Sequence, residues 1–416
     1  MKLNLSTSFF ILIVAAITFS CQKENESKQD QKNFLSSAGN NQQKQSKKLY
    51  VSNVNELYAM TNDIANAGST VVLAPGTYML SPNYPNGGRL EFQHNMKLVG
   101  QPGHPELVII DATNLPLSSF TIQPTTLRTG VVRMGNGRNE IEWITLQNDP
   151  AHMIRSIIQT DIVATATTQV RIAHCIIKGS SIGMSIINRE ASSNGRTVEA
   201  EIEDNEIMEN IIPQFGSGIQ IQNSMGVNNA TIKATLRRNY IHGNKAGILA
   251  FNASSQQCLV EIKSYGDRVE GNGIGLMFNG GFIENANNPA LNNSLSFQAY
   301  ATSVQKNSGN PTPPFSFPAG GVHAAGGQAM PPFAVAGTAH HNNLKITFHG
   351  CAIEDNAGNF QINAYGAHSF HASSTPAGTF NATAVYLYGL SAKATVNAIA
   401  SFPVETAGTN TVNVYR

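Results

Sequence analysis

The chain has 416 residues, of which 41% are hydrophobic and 13% are charged, and its formal net charge is +1. Electrostatic binding to nucleic acid or to an anionic membrane requires a basic face, so this composition argues against both kinds of partner. The length exceeds that of most single domains, but a solenoid grows by adding turns, so a second domain is not required.

The N-terminal segment predicts export. Lys2 precedes the apolar run 9–19, which is short for a membrane span and typical of the core of a secretion signal. The phrase Thr18-Phe19-Ser20-Cys21 then resembles a bacterial lipoprotein cleavage box, which implies removal of the signal peptide 1–20 and acylation of Cys21. Residues 22–26 resemble the tag that directs some lipoproteins to the cell surface. We therefore expect an outer-membrane lipoprotein, held to the membrane only by its lipid.

The next two segments predict a tether and a helix. Residues 21–48 are mostly Gln, Lys, Asn and Ser, with little to bury, so we expect a disordered tether. As a flexible coil it would place the folded part on the order of 30 Å from the lipid. A helix is expected over 54–67, because Asn53 can cap it, with Glu56 three residues later, and Gly68 can end it. Such a helix would cover the open end of a solenoid.

Short strands follow this helix. One ends at Pro75-Gly76-Thr77-Tyr78, and others lie at 96–100 and 108–112. This succession resembles the first coils of right-handed parallel β-helices of the pectate-lyase-like superfamily, and the likeness extends more loosely over about residues 50–366. It implies an all-β fold, a right-handed parallel β-helix over 49–377 with an N-terminal capping helix, and says little about activity.

A repeat through the middle of the chain indicates the same architecture. Glycine begins a short apolar strand at four successive places, Gly183, Gly218, Gly247 and Gly275, in steps of 35, 29 and 28 residues. Such a period is typical of coiled arrays whose units bury their apolar faces by stacking. Strand 198–202 alternates apolar and charged residues, and Asn205 and Asn239 mark corners. Asparagine suits a corner because it tolerates left-handed backbone and can bond to the next coil.

The rest of the chain is less regular. Residues 284–343 predict a coil with a long insertion, bulging at 310–318, and 378–416 predict C-terminal strands that cap the solenoid or pair along its side. Besides Cys21 the chain has Cys175, Cys258 and Cys351. Because Cys175 and Cys351 occupy matching corners several coils apart, we interpret all three as buried thiols rather than as a disulfide framework or a metal set.

Aligning the coils predicts columns of outward side chains. On the Gly-led strand the two columns are Ser185, Gln220, Leu249, Met277, His323, Gln361 and Ile187, Gln222, Phe251, Asn279, Ala325, Asn363. They contain amides, apolar groups and one histidine, but no carboxylate. The resemblance implies an acid cluster for calcium and an Arg or Lys base in lyases of this superfamily, and this strand lacks that set. We therefore expect no cofactor, with calcium left open.

Histidines gather late in the chain, at His323, His340, His341, His349, His368 and His371. A His368-x-x-His371 pair could chelate a metal if it were helical. No Cys or acid completes such a set at a familiar spacing, so we predict no metal site.

The strand before the Gly-led strand carries more charged and titratable side chains. Its predicted outward columns are Arg171, Glu201, Thr235, Glu261, Gln298, Thr347 and Ala173, Glu203, Arg237, Lys263, Tyr300, His349. Opposite charges on successive coils, such as Arg171 with Glu201 and Glu203 with Arg237, can pair laterally. One interpretation is a surface salt-bridge ladder that contributes little to stability. The other is a mixed-charge groove that binds sugars.

In the groove interpretation each residue has a role. Sugar hydroxyls and carboxylates would be bound by Arg171, Glu201, Glu203 and Glu261. If catalysis occurs there, Arg237 or Lys263 would neutralise a uronate, and His349 or Tyr300 would move protons, with Tyr300 also a stacking platform. A further alternative is glycoside hydrolysis by the glutamates of 199–209, although Asp204 lacks a second Asp beside it and spacing cannot establish a carboxylate separation.

The leading hypothesis is a surface-anchored β-helix lipoprotein that binds polysaccharide and could extend to processing it. Two alternatives stay open: a polysaccharide lyase acting on uronate-containing glycans, and a non-catalytic surface scaffold or adhesin. Whether the chain is an enzyme is also open, with lyase and glycoside hydrolase as the candidate classes. The step from fold to function is analogy. We expect a monomer that binds no nucleic acid.

Overall fold

The computed structural model describes residues 47–115, 130–149, 156–160, 167–189, 191–211, 216–283, 288–309, 320–329, 339–369, 378–390, 393–402 and 410–416. The predicted signal peptide, the predicted acylation site Cys21, the predicted tether up to residue 46, the predicted bulge 310–318 and His371 lie outside these residues. Within them, no helix has the length and apolar character needed to cross a membrane.

Most described secondary structure is β-strand, arranged in three long sheets and one short one. In spatial order, sheet A contains β1 (Lys48–Val51), β2 (Thr70–Leu73), β5 (Lys97–Val99), β8 (Gly137–Glu142), β11 (Thr168–Ala173), β14 (Thr197–Glu203), β17 (Thr231–Arg237), β20 (Leu259–Tyr265), β24 (Ser294–Tyr300), β28 (Asn343–His349), β32 (Ala382–Tyr388) and β34 (Thr411–Tyr415). Sheet B contains β3 (Gly76–Met79), β6 (Val108–Asp111), β9 (Thr145–Gln147), β12 (Ile176–Lys178), β15 (Glu206–Met208), β18 (Tyr240–His242), β21 (Arg268–Glu270), β25 (Ser303–Gln305) and β29 (Ala352–Glu354). Sheet C contains β4 (Leu90–Glu91), β7 (Gly130–Met134), β10 (Ser156–Thr160), β13 (Ile182–Arg189), β16 (Ser217–Ser224), β19 (Ala246–Ala253), β22 (Ile274–Ile283), β26 (Val322–Ala329), β30 (Ile362–Ser369) and β33 (Val396–Phe402). Sheet D contains β23 (Ala290–Leu291), β27 (Ala339–His340) and β31 (Gly378–Thr379).

The order of these strands defines a solenoid. Through the middle of the chain each coil contributes a strand to sheet A, then to sheet B, then to sheet C, and each strand pairs in parallel with its counterpart in the next coil. Returning to the same sheet in a parallel sense is a crossover connection, and such crossovers are right-handed in nearly all proteins. The fold is a right-handed parallel β-helix, as the sequence predicted.

The bore is filled by alternate residues of each sheet. In β14, Val198, Ala200 and Ile202 are buried in the main core, while Glu199 and Glu203 point outward and are only partly buried. Sheet C differs, because β16, β19 and β22 are buried along their whole length, on both faces. The outward side chains of sheet C are therefore covered, whereas those of sheet A meet solvent.

Amide ladders join the coils at their corners. Between sheets A and B, the main-chain N–H of Cys175 donates to Asn205 Oδ1 (2.9 Å), and Asn205 Nδ2 donates to Asn239 Oδ1 (3.0 Å). The bonding of corner asparagines along the stack is thus confirmed. Two further ladders run through Asn210, Asn244, Asn272, Asn307, Asn356 and through Asn293, Asn342, Asn381, Asn410.

The sequence predicted that asparagine provides both the left-handed backbone and the hydrogen bonds of each corner. In the structure two adjacent residues share these roles. The left-handed backbone falls on the residue before each ladder asparagine, with φ of 54° at Asp204 and 52° at Arg238. Asn205 and Asn239 are buried and serve as hydrogen-bonding groups. The preceding residue can turn left-handed because its side chain points to solvent, whereas the amide is needed inside.

The N-terminal end begins with a strand, β1, rather than with the predicted helix. The helix α1 (Val54–Thr61) follows, capped by Asn53, whose side chain accepts a bond from the N–H of Glu56. It ends before Ala67 because Asp63 adopts extended backbone and starts a separate single turn, Ile64–Asn66. Buried Leu57 and Tyr58 pack into the main core. Other short helical turns are α2 (Pro85–Gly88), Pro105–Leu107 and Ala191–Ser193.

The C-terminal strands continue the coils. β32 pairs in parallel with β28, β34 with β32, and β33 with β30. The three described cysteines are free and buried, as predicted. Burial raises the pKa of the Cys175 thiol to about 12, so it remains protonated.

One ladder position carries an acid and makes stability pH-dependent. Asp267 is fully buried, with Oδ1 accepting from Asn239 Nδ2 (2.8 Å) and Oδ2 accepting from Ser264 Oγ (2.6 Å). Burial raises its pKa from 3.8 to about 6. Between these values the unfolded chain loses its proton while the folded chain keeps it, so the contribution of Asp267 to stability falls as the pH rises.

We predict that Asp267→Asn, which cannot ionise, matches the parent below about pH 4 and is more stable above about pH 6, by up to about 3 kcal/mol. Urea denaturation followed across this pH range measures the difference. Asn205→Asp, at an equivalent position of the same ladder, is the matched control and should lose stability as the pH rises. A variant Asp267→Asn that is less stable at every pH would contradict this account.

Candidate functional site

The outward face of sheet A holds the predicted site residues, with a corrected register. The observed columns are Arg171, Glu201, Thr235, Lys263, Gln298, Thr347 and Ala173, Glu203, Arg237, Tyr265, Tyr300, His349. The predicted places of Glu261 and Lys263 were wrong by two residues. Glu261 lies between Lys233 and Ser296 in a third column. The error arises because this coil has Asp267 at the corner position that Asn205 and Asn239 occupy in the preceding coils. The asparagine on which the coils were aligned is therefore missing here.

Part of this face is a charged patch, formed by Lys97, Arg138, Glu140, Glu142, Arg171 and Glu203. Lys97 Nζ lies 2.8 Å from Glu142 Oε2 and 3.1 Å from Glu140 Oε2. Arg171 bonds both Glu142 and Glu203, with Nε 3.0 Å from Glu203 Oε1. The predicted pairing of Arg171 with Glu201 is therefore replaced by a diagonal pairing with Glu203.

The pKa values of Glu140, in the charged patch, and of Glu201, on the same face of sheet A, reflect their surroundings. Burial by itself raises the pKa of Glu140, but hydrogen bonds and charges from Arg138 and Lys97 outweigh burial and lower it. The pKa of Glu201 is raised, mainly by burial, although Arg237 opposes the shift. Glu140 is thus held as an anion by its partners, and the patch is an interlocked ion-pair network.

Beyond the charged patch the same face becomes aromatic. Tyr265, Tyr300, His349 and Tyr388 form an aromatic stack, with ring centroids 5.1, 4.8 and 4.9 Å apart in that order. Adjacent rings are within 18° of parallel. The guanidinium carbon of Arg237 lies 5.6 Å from the Tyr265 ring centroid, which extends the stack at one end. The rings lie in line because each occupies the same column of successive coils.

A second aromatic row runs beside the stack. Tyr386 stacks on Tyr415 with centroids 4.5 Å apart, and its ring centroid lies 6.3 Å from that of Tyr388. Lys345 Nζ lies 4.9 Å from the Tyr386 ring centroid. Burial lowers the pKa of His349, so this imidazole is neutral at neutral pH. Together these groups form two rows of face-to-face rings with cations at their margins.

The structure brings some predicted site residues together and separates others. Arg237, Tyr300 and His349 share one column, and Lys263 lies in the next column. Arg237 and His349 are three strands apart, which corresponds to about 14 Å. A uronate carboxylate and the proton beside it cannot contact both residues at once. The arrangement is suited to contacts along a chain of sugars, whereas proton transfer by this pair on one sugar has no geometric support.

Sequence reasoning missed Tyr265, Tyr386, Tyr388 and Tyr415. A signal was present, because each ring of the stack directly precedes the left-handed residue of its corner, namely Gly266, Ala301, Gly350 and Gly389. Aligning the coils on that residue instead of on asparagine would have placed the four rings of the stack, Tyr265, Tyr300, His349 and Tyr388, in one column.

The Gly-led columns also shift at their last coil. His323 pairs with Asn363 and Ala325 pairs with Tyr365, so the predicted partners Gln361 and Asn363 were each two residues early. Gln361 instead ends an amide ladder, accepting from Asn356 Nδ2 at 2.8 Å. Gln361 lies five residues after Asn356 in the same coil, so it closes the end of the ladder and does not belong to the outward column.

The late histidines do not form one group. His341 stacks on Phe380, with centroids 4.8 Å apart, while His323 and His368 meet on sheet C with centroids 5.1 Å apart. Across the described ranges, no three His, Cys, Asp or Glu side chains are arranged to hold a metal ion.

Comparison with known proteins gives likenesses only among solved structures. No family model and no curated protein matches the chain. The A-module of Azotobacter vinelandii mannuronan C-5 epimerase AlgE4 is 11% identical, with 83% of this chain and 97% of that chain covered and a TM-score of 0.34. Pectate lyase Pel9A is 14% identical, with 87% and 82% covered and a TM-score of 0.34. The catalytic unit of a GH87 alpha-1,3-glucanase from Streptomyces thermodiastaticus is 12% identical, with 91% and 69% covered and a TM-score of 0.31. The fold assignment above rests on the strand pairing itself.

We predict that the charged patch stabilises the fold through Arg171. Arg171→Met keeps the aliphatic stem but leaves the carboxylates of Glu142 and Glu203 short of a cation, and should lower the free energy of unfolding by about 1–2 kcal/mol. The control is Arg238→Met, because Arg238 is 60% exposed and pairs only at the surface with Asp204. Its effect should stay within about 0.5 kcal/mol. Urea denaturation at low and high salt measures both, and equal effects of the two substitutions would contradict the prediction.

Proposed function

We propose that this protein binds an extended, uronate-containing polysaccharide along the outward face of sheet A. The observation that carries the proposal is the aromatic stack, in which four partly exposed rings follow one another along the solenoid axis. Because the rings face one another, they present their edges to solvent, and the phenol hydroxyls and the imidazole can form hydrogen bonds with the hydroxyls of successive sugars. The strand spacing of about 4.8 Å is comparable to the length of one sugar unit.

The charges beside the stack favour an acidic chain. Arg237 lies over Tyr265 at one end, Lys345 lies over Tyr386 in the second row, and Lys263 occupies the column between them. A guanidinium or ammonium group beside a bound sugar is placed to pair with the carboxylate of that sugar. The glutamates Glu201 and Glu203 lie on the earlier strand β14, where they can accept bonds from sugar hydroxyls.

Binding is expected without cleavage by Arg237 and His349. These two residues stand about 14 Å apart. A base must reach the proton it removes within hydrogen-bonding distance while the carboxylate is neutralised. The lyase alternative therefore draws no support from this pair. It stays open for Lys263 with Tyr300, which lie on adjacent strands, and the scaffold alternative is the outcome if no polysaccharide binds.

We predict that Tyr300→Ala, in the middle of the stack, weakens binding of an acidic polysaccharide about tenfold, because it removes one hydroxyl from the row and leaves a gap between the neighbouring rings. Affinity electrophoresis of residues 47–416 in gels containing alginate, polygalacturonate or a neutral glucan measures the change. The control is Tyr240→Ala, because Tyr240 also stacks on a histidine, His242, under an arginine, Arg268, but lies on sheet B.

The outcomes of this experiment separate the candidate functions. Retardation by the acidic polymers that Tyr300→Ala reduces and Tyr240→Ala leaves intact supports the proposal. No retardation by any polymer would favour the scaffold. A rise in ultraviolet absorbance from an unsaturated product, with or without calcium, would show lyase activity and overturn binding without cleavage.

We also propose that the protein is a lipoprotein of the outer membrane, anchored through Cys21 and exposed at the cell surface. The support is the apolar run 9–19 followed by the cleavage-box resemblance at residues 18–21. Such an anchor would place the aromatic stack where extracellular glycans are.

We predict that the full chain expressed in a Gram-negative host is labelled by an alkyne fatty acid and fractionates with membranes, and that Cys21→Ser loses both properties. Cys351→Ser is the control, since Cys351 is a buried thiol of the solenoid. Labelling that persists in Cys21→Ser would exclude this site of acylation.

A further inference from the structure

The outward face of sheet C carries a group of buried polar side chains that the sheet A site does not use. We call Asn279, His323, Gln328, Tyr365 and His368 the sheet C cluster. Each of them is at most 5% exposed. The cluster spans three adjacent strands, since β22 pairs with β26 and β26 with β30. Polar groups at this depth are normally all hydrogen-bonded, so their bonding shows whether they serve the fold.

Gln328 links the two histidines. Its Nε2 lies 3.2 Å from His323 Nε2 and 3.2 Å from His368 Nδ1, so one amide group can donate to both rings. The ring of Tyr365 packs beside them, 5.3 Å from His323 and 4.5 Å from His368 between centroids. Burial lowers the pKa of His323 well below 6.5 and that of His368 to about 3, so both imidazoles are neutral at neutral pH. The cluster therefore has hydrogen-bonding groups but no charge.

Part of the cluster is left unbonded. Asn279 is fully buried, yet within the described part of the chain neither its Oδ1 nor its Nδ2 has a hydrogen-bond partner. The same holds for Gln328 Oε1. Leaving a buried amide unbonded is unfavourable by about 1–3 kcal/mol per group, and the ladder asparagines of this fold avoid it. Two acceptor oxygens and an amide donor in one cluster thus lack a structural role.

Strand pairing places polar side chains of the sheet C cluster around the small side chain of Ala325. Ala325 lies between Asn279 and Tyr365 in one column, and His323 lies two residues before it on the same strand. Asn279 and Tyr365 are therefore about 10 Å apart across a single methyl group. Met277 and Phe282 lie opposite His323 and Gln328 on the neighbouring strand. The cluster thus combines amides, a phenol and imidazoles with an apolar margin.

We propose that the sheet C cluster is a binding site for an uncharged sugar unit that carries an acetamido group or adjacent hydroxyls. An acetamide offers one N–H and one C=O, which match the acceptor Oδ1 and the donor Nδ2 of Asn279. Its neighbouring hydroxyl can donate to Gln328 Oε1. Met277 and Phe282, which are 8% and 5% exposed in a hydrophobic cluster, form the apolar margin of the site. An acid is disfavoured, because burying a carboxylate among uncharged groups without a cation is costly. This site is independent of the acidic polymer proposed for sheet A.

The test uses saturation-transfer NMR of residues 47–416 with N-acetylglucosamine, glucose and glucuronate as separate probes. The expected result is a signal from N-acetylglucosamine that exceeds the glucuronate signal. Asn279→Leu should reduce it about tenfold and at the same time raise the melting temperature by a few degrees, because it removes unbonded polar atoms from a buried position. The smaller Asn279→Val serves the same purpose if leucine does not fit.

Two controls distinguish this inference from a structural role and from the sheet A proposal. Asn223 is also fully buried on sheet C, but its Nδ2 donates to Asn252 Oδ1 at 2.9 Å, so Asn223→Leu should lower the melting temperature. Tyr300→Ala should leave the N-acetylglucosamine signal unchanged. Absence of signal from both neutral sugars, a glucuronate signal of equal size, or a loss of stability in Asn279→Leu matching that of Asn223→Leu would overturn the inference.

Discussion

The rest of the structure depends on the bonds that lock one coil to the next in register. Parallel strands in a flat stack can slip by two residues without exposing their apolar side, because the side-chain period is two. The amide ladders remove that freedom, since each corner asparagine has one partner at a fixed place in the next coil. Once the corners are fixed, every outward side chain lies directly above its counterpart. Surface chemistry in this fold is therefore organised in columns, and a column acts as a unit.

Much of the fold could be predicted from the sequence, because alternation and recurring glycine and asparagine are local signals of coil and corner. The columns could be predicted only where a ladder asparagine anchors the alignment. Asp267 replaces it in one coil, and there the prediction slipped by two residues and hid Tyr265. The alignment of the Gly-led strands slipped by the same amount at β30 and hid Tyr365. Burial on the outer face of sheet C could not be predicted, because it depends on which distant parts of the chain cover a strand. Nothing local distinguishes Asn279 from a solvated asparagine.

The outer faces of sheets A and C consequently differ in what they can recognise. On sheet A the side chains meet solvent, so long charged groups can stay hydrated while their stems and the aromatic rings pack against each other. On sheet C the same strand positions are covered, and from β16 onward the outward residues are mainly amides, a phenol, apolar groups and imidazoles that burial keeps neutral. The buried Arg133, earlier in the same sheet, has Glu91 2.6 Å away. The difference follows from solvation, because an ionised group is tolerated at a covered position only when an opposite charge accompanies it.

Column geometry also explains the low charge of the chain. Side chains in one column are about 4.8 Å apart, so two like charges on adjacent coils repel each other strongly. In the described columns of sheet A the charges alternate or are separated by uncharged residues: Glu140, Arg171 and Glu201 follow one another, as do Glu199, Lys233 and Glu261.

A column of a long solenoid can continue in two ways. Either its charges alternate in sign, or it repeats a side chain that packs favourably against a copy of itself on the next coil. Aromatic rings belong to the second kind, since each ring stacks on the next, and after Arg237 the column continues as Tyr265, Tyr300, His349 and Tyr388. The aromatic stack is thus the form that an uncharged column takes when it remains partly exposed, and partial exposure leaves the edges of its rings accessible to a ligand.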